Sequence, residues 1–167
     1  MSLILHPVNF GELGIQRKTA APIADIRRVY EIYPELVLCY EQACDIVGLE
    51  RYGGGTLDMQ ASHLGMITSG FRSEIIGGNK ESAHRYAAAF DVAVGVGQVM
   101  LDSSLAFATL FNRIGIYPDK QFIHADAMPD AWIREHNKAR FWIVANNETR
   151  TFETFSGLVS YFKLNFL

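Results

Sequence analysis

The chain has 167 residues, of which 49% are hydrophobic and 20% charged, and a formal net charge of -3. That length holds one domain with a proper core and is too short for two, and the composition argues against disorder. With no cationic excess to displace counterions from a phosphate backbone, nucleic-acid binding is excluded as its main business, and an anionic membrane offers it no attraction.

Residues 1–20 read as an irregular segment without a charged leader followed by an unbroken apolar core, so no secretory signal is expected. No apolar run approaches the roughly 18 residues of a transmembrane helix. Residues 23–33 place Ile23, Ile26, Val29, Tyr30 and Tyr33 on one helical face. Pro34 breaks that run and can begin a second helix, residues 35–47, which ends at Gly48. Cys39 and Cys44 fall five apart within it, a spacing that suits neither a disulfide nor a zinc pair, so both read as buried free thiols. Folding in a reducing cytoplasm follows, wherever the chain finally acts.

Gly53, Gly54 and Gly55 precede a short predicted strand at residues 64–68, and a turn-rich stretch occupies residues 69–82. Residues 98–113 are apolar nearly all round and predict a buried helix. Strands are predicted at residues 121–127 and 140–145, and a closing helix at residues 151–162. Helices at both ends with strands between them predict an α+β fold, a single domain whose small, mostly antiparallel sheet is flanked by helices.

Two stretches carry chemistry. The first runs Ser69-Gly70-Phe71-Arg72-Ser73, then Ser82-Ala83-His84-Arg85-Tyr86-Ala87-Ala88-Ala89-Phe90-Asp91. As a strand, residues 87–94 would set Phe90, Val92 and Val94 toward a core and Asp91 among alanines on the other face, leaving room beside the carboxylate. As an alanine-rich helix capped by Ser82, the same segment would leave His84 and Asp91 solvated, and periodicity alone slightly favours that reading. The second stretch is Gly115-Ile116-Tyr117-Pro118 and Phe122-Ile123-His124-Ala125-Asp126. In a strand, His124 and Asp126 share a face, where the carboxylate can orient the imidazole or hold a water.

Together these pieces resemble the zinc D-alanyl-D-alanine carboxypeptidase-like family of peptidoglycan peptidases. The first is similar to its S-G-[FY]-R-S turn and S-x-H-x-x-G-x-A-x-D motif, the second to its F-[IV]-H-[VA]-D strand, with an aromatic strand containing Phe141-Trp142 beyond. The resemblance implies a zinc ion held by His84, Asp91 and His124, three ligands and one open position. It implies hydrolysis of a peptidoglycan stem peptide by a water whose pKa the metal lowers to about 7. It also implies Arg72 as a positive charge near the developing oxyanion or a substrate carboxylate. The setting it suggests is a bacterial cell wall, reached by a phage-related or similar route.

Two positions depart from the family pattern. Ala87 stands where the motif has glycine. Gln121 stands three residues before the last ligand, where many relatives carry an acid, and an amide cannot accept a proton from water. Asp126, on the ligand's own strand face, is the first candidate for the base, and Asp119 in the turn after Pro118 the second. These departures keep open an inactive wall-binding or structural module on the same fold, and beyond it an unrelated α+β interaction domain without metal. The remaining histidines, His6, His63 and His136, stand outside the motifs, and Gly77-Gly78 lacks the end of a phosphate loop.

Overall fold

Proline pre-sets the first turn of a helix and glycine ends one, and the first described helix uses both. α1 (Pro34–Val47) starts on its proline with Glu35 in the first turn. Gly48 follows in the left-handed region at φ 70°, and the Leu49 amide donates back to the Cys44 carbonyl, closing the helix end. Cys39 and Cys44 are buried thiols on this helix, not joined in a disulfide, and burial raises both thiol pKa values, that of Cys44 to about 11. The computed structural model describes residues 34–51, 64–65, 67–69, 81–86 and 88–167. The predicted helix at residues 23–33 lies outside them, as do most of the turn-rich stretch, Arg72 and Ala87.

Among the described residues six strands follow: β1 (Ile67–Ser69), β2 (Ala89–Ala93), β3 (Arg113–Tyr117), β4 (Phe122–Asp126), β5 (Phe141–Ala145) and β6 (Glu148–Phe152). They form one sheet in the order β1-β2-β4-β3-β5-β6, antiparallel at every pairing except β3 with β5. Three further helices are described, α2 (Gln98–Ala108), α3 (Asp130–Glu135) and α4 (Phe155–Phe166). The α+β fold with a mostly antiparallel sheet flanked by helices is as expected.

Alternation along the strands divides the sheet. Phe90 and Val92 of β2, Ile114 and Ile116 of β3, and Ile123 and Ala125 of β4 are wholly buried in one apolar cluster. Leu36, Val37 and Tyr40 of α1, Met100, Leu101 and Phe107 of α2, and Leu158 and Phe162 of α4 close over it. Each fully buried Leu, Ile or Phe contributes roughly 1.5–3 kcal/mol. Tyr40 sits tilted against Phe90 and Phe107, its hydroxyl donating to the Gly65 carbonyl. A second, smaller cluster of Ala83, Ala88, Ala89, Met128 and Ile133, with Tyr86 and Trp132 packed on it, lies apart from the main core.

Three boundaries differ from the sequence expectation, the first being the strand expected at residues 64–68, which lies at Ile67–Ser69 with Leu64 and Gly65 in a turn before it. The helix predicted over residues 98–113 stops at Ala108, capped at Thr109, and Arg113 opens β3. Ile114 and Ile116 alternate there with Arg113, Gly115 and Tyr117, a two-residue period hidden by the apolar residues before it. The closing helix begins at Phe155, where Thr154 accepts a hydrogen bond from the Gly157 amide, and residues 148–152 are strand. Asn146 and Asn147, at φ 52° and 63°, make the two-residue turn joining β5 to β6, since asparagine tolerates left-handed backbone. The strand reading of residues 87–94 holds, with strand described at Ala89–Ala93, and the helix reading of residues 82–94 does not. A 3-10 turn, Ala83–Tyr86, carries His84, and the strand Ala89–Ala93 carries Asp91.

Candidate metal centre

The face of the sheet opposite the main core collects the polar residues of the same strands. Register sets Asp91 of β2 opposite His124 of β4, His124 opposite Gly115 of β3, Gly115 beside Trp142 of β5, and Trp142 opposite Thr151 of β6. One row thus crosses five strands, carrying a carboxylate, an imidazole, a gap, an indole and a hydroxyl. The gap matters, because a Cβ at Gly115 would meet the Trp142 ring at 2.3 Å. Glycine lets the indole cross β3 and lie against His124, with ring centroids 5.3 Å apart.

His84 arrives from the 3-10 turn. Its Nε2 is 3.3 Å from Asp91 Oδ1, and the His124 Nδ1 is 2.9 Å from the same oxygen. The two imidazoles meet edge to face at 5.0 Å. Ligand atoms of His84, Asp91 and His124 all lie within 4.8 Å of one another, and all three residues are buried. Zinc at roughly 2.0–2.2 Å from nitrogen and oxygen donors sets those donors about 3.3–3.5 Å apart in a tetrahedron, so donor set and spacing fit the ion.

The electrostatics agree with that use. Burial pushes the Asp91 carboxyl toward its neutral form, but the attraction of His84 and hydrogen bonds with both imidazoles outweigh it and hold the pKa far below the usual range. Burial likewise opposes the charged form of His124, yet hydrogen bonds to Asp126 and Asp91 raise its pKa to about 9.

Asp126 stands behind His124 rather than beside the ligand atoms. Its Oδ2 accepts from His124 Nε2 at 2.8 Å and from Arg113 at 3.1 Å, and its Oδ1 accepts from the Met128 amide at 3.1 Å. The side chain is fully buried, with both oxygens engaged. Asp119 accepts from the Asn146 amide at 2.6 Å, tying the turn before β4 to the β5–β6 hairpin. Gln121 takes left-handed backbone at φ 58°, and its carbonyl accepts from the Val94 amide. Arg72 lies outside the described residues. The strand that leads toward it is described: Ser69 is the register partner of Asp91, and the Thr68 hydroxyl donates to the Asp91 carbonyl.

The ligand cluster opens on a cleft of about 590 Å³. Tyr117, Trp142, Thr149 and Thr151 line it along the sheet, and Glu81 and Lys138, paired at 2.7 Å, line it from the loops. Sequence reasoning does not single out Arg113, Glu81 or Lys138. For Arg113 a signal exists in the alternation Arg-Ile-Gly-Ile-Tyr; for the other two, isolated charges in loops, there is none.

Among protein families, residues 57–126 match the model described as Peptidase M15. His84, Asp91, His124 and Asp126 all fall inside the matched stretch, as do the two motifs that carry the resemblance. The family is zinc-dependent. No curated protein and no solved structure matches the chain.

Proposed function

Taking the match of residues 57–126 to Peptidase M15 as premise, we propose that the chain is a zinc peptidase that cleaves stem peptides of peptidoglycan at the cell wall. The observation that carries the reading is the buried cluster of His84, Asp91 and His124 opening on a cleft large enough for several peptide residues. A zinc ion held there would supply a water of lowered pKa and would polarise the scissile carbonyl. The chain's own residues do the rest. His84, Asp91 and His124 hold the ion, and Asp126 accepts from His124 Nε2 and turns Nδ1 toward the other ligands. Trp142 walls the cleft beside His124 and keeps solvent off that flank. Arg72, three residues after Ser69 in the sequence, is assigned the positive charge that serves the substrate oxygen, as the family resemblance implies.

Purified cell wall incubated with the protein is expected to release peptide fragments detectable by mass spectrometry, and a chelator to stop the release. A wall left intact by zinc-loaded protein sinks the proposal.

One observation favours a second reading, a wall-binding module that keeps the metal. Both oxygens of Asp126 are committed, and Gln121 offers an amide where relatives offer an acid, so neither is free to take a proton from water. That module would retain about one zinc per chain and sediment with wall fragments without cutting them.

A further inference from the structure

Arg113 is buried on the site face, directly opposite Asp126 in the β3–β4 pairing. Its guanidinium lies between two indoles, 4.9 Å from the Trp142 ring centre and 5.7 Å from that of Trp132. Its Nε donates to the Ala139 carbonyl at 2.9 Å, and its Nη1 to Asp126 Oδ2 at 3.1 Å. A planar group held between two rings and hydrogen-bonded along its edge is fixed in both position and rotation. The oxygen it touches is the same one that accepts from His124 Nε2.

We propose that Arg113 is a positioning residue for the metal centre. It pins Asp126 behind His124, so that the imidazole presents Nδ1 to Asp91 and His84 while Asp126 is kept from joining the ligands itself. A carboxylate two residues from a zinc ligand, on the same strand face, is otherwise a fourth donor able to close the open position. The restraint is mutual, because Asp126 is also held by the Met128 amide, so neither oxygen is free to swing. The indole that lies on Arg113 also lies on His124, so the restraint and the ligand share a wall.

This inference rests on the zinc reading above, and its sign separates it from simple electrostatics. Removing a cation near a site for a dication strengthens metal binding if charge alone matters, whereas loss of positioning weakens it. Zinc affinity, measured by competition with a chromophoric chelator, is compared among wild type, Arg113→Met, Asp126→Asn and the double variant. Arg113→Met is expected to bind zinc roughly 10–100-fold more weakly. The double variant is expected to bind no more weakly than Asp126→Asn, because Arg113 acts through Asp126. Unchanged or tighter binding by Arg113→Met overturns the proposal, and so do losses that multiply in the double variant.

Circular dichroism of the metal-free proteins shows whether each variant folds. Should Arg113→Met fail to fold, Arg113→Lys is read instead. It keeps a cation but loses the fork that spans Asp126 and Ala139, and a loss of about tenfold is expected. Wild-type affinity in that variant overturns the proposal. A wild-type protein that binds no zinc sinks the functional reading and this inference together; zinc binding with multiplying losses sinks this inference alone.

Discussion

The same three central strands build two unlike faces. Toward the helices, Phe90, Val92, Ile114, Ile116 and Ile123 pack as interchangeable hydrocarbon, each supported by many neighbours. Toward the cleft, Asp91, His124, Asp126 and Arg113 are also buried, but each depends on a few named polar partners. The difference teaches where specificity sits in this molecule. Trimming a side chain on the first face spreads the damage over its neighbours, whereas removing a partner on the second leaves a buried charge or donor unanswered.

The largest effect that this contrast predicts is for Asp91→Ala. That variant should fold yet carry no stoichiometric zinc by elemental analysis, and wall cleavage should vanish with the metal. Retention of about one zinc per chain would break the contrast at its centre.

Next in size is a pH effect confined to the polar face. The folded-state pKa of His124 is raised from 6.5 to about 9, so its contribution to the metal-free protein is fully present below the unfolded value and lost as pH rises through about 9. The metal-free melting temperature should therefore fall between pH 7 and 10. Zinc must displace that proton, so its affinity should rise about tenfold from pH 7 to 8 and roughly fiftyfold from pH 7 to 9, flattening above that. A flat affinity over that range would contradict the assignment of His124.

Smaller changes sharpen the comparison. Gly115→Ala drives a methyl into the Trp142 ring and should cost about 1–3 kcal/mol by denaturant titration, with weaker zinc binding alongside. Ile123→Val, on the opposite face of β4, should cost about 1 kcal/mol and leave zinc affinity untouched. Equal effects of these two on zinc would mean that the faces are not independent.

Much of this is legible in the sequence, for identifiable reasons. His84, Asp91 and His124 stand in motifs whose spacing is distinctive, and the structure brings the three together. The alternation of Phe90, Val92 and Val94 points to a core face, and those residues are buried there. What stays hidden depends on pairing across the chain. Nothing local in Arg113 announces Asp126 as its neighbour, because a register between separate strands brings them together. β6 is hidden because Glu148-Thr149-Arg150-Thr151-Phe152 is an exposed, largely polar edge strand, and the turn that sets it depends on two asparagines in left-handed backbone. The role of Asp126 can be framed as orienting or base from sequence, but its three hydrogen-bond partners emerge only in three dimensions.

The missing side chain at Gly115 has an optical consequence. It leaves the Trp142 ring against an imidazole of the ligand set, with its Nε1 donating to the Tyr117 hydroxyl at 3.1 Å. Protonated imidazole quenches indole emission and a metal-bound ring does not do so in the same way, so Trp142 should report any loading of the site. Ultraviolet fluorescence should change in step with zinc titration, and the change should disappear in Trp142→Phe while Trp132 still emits.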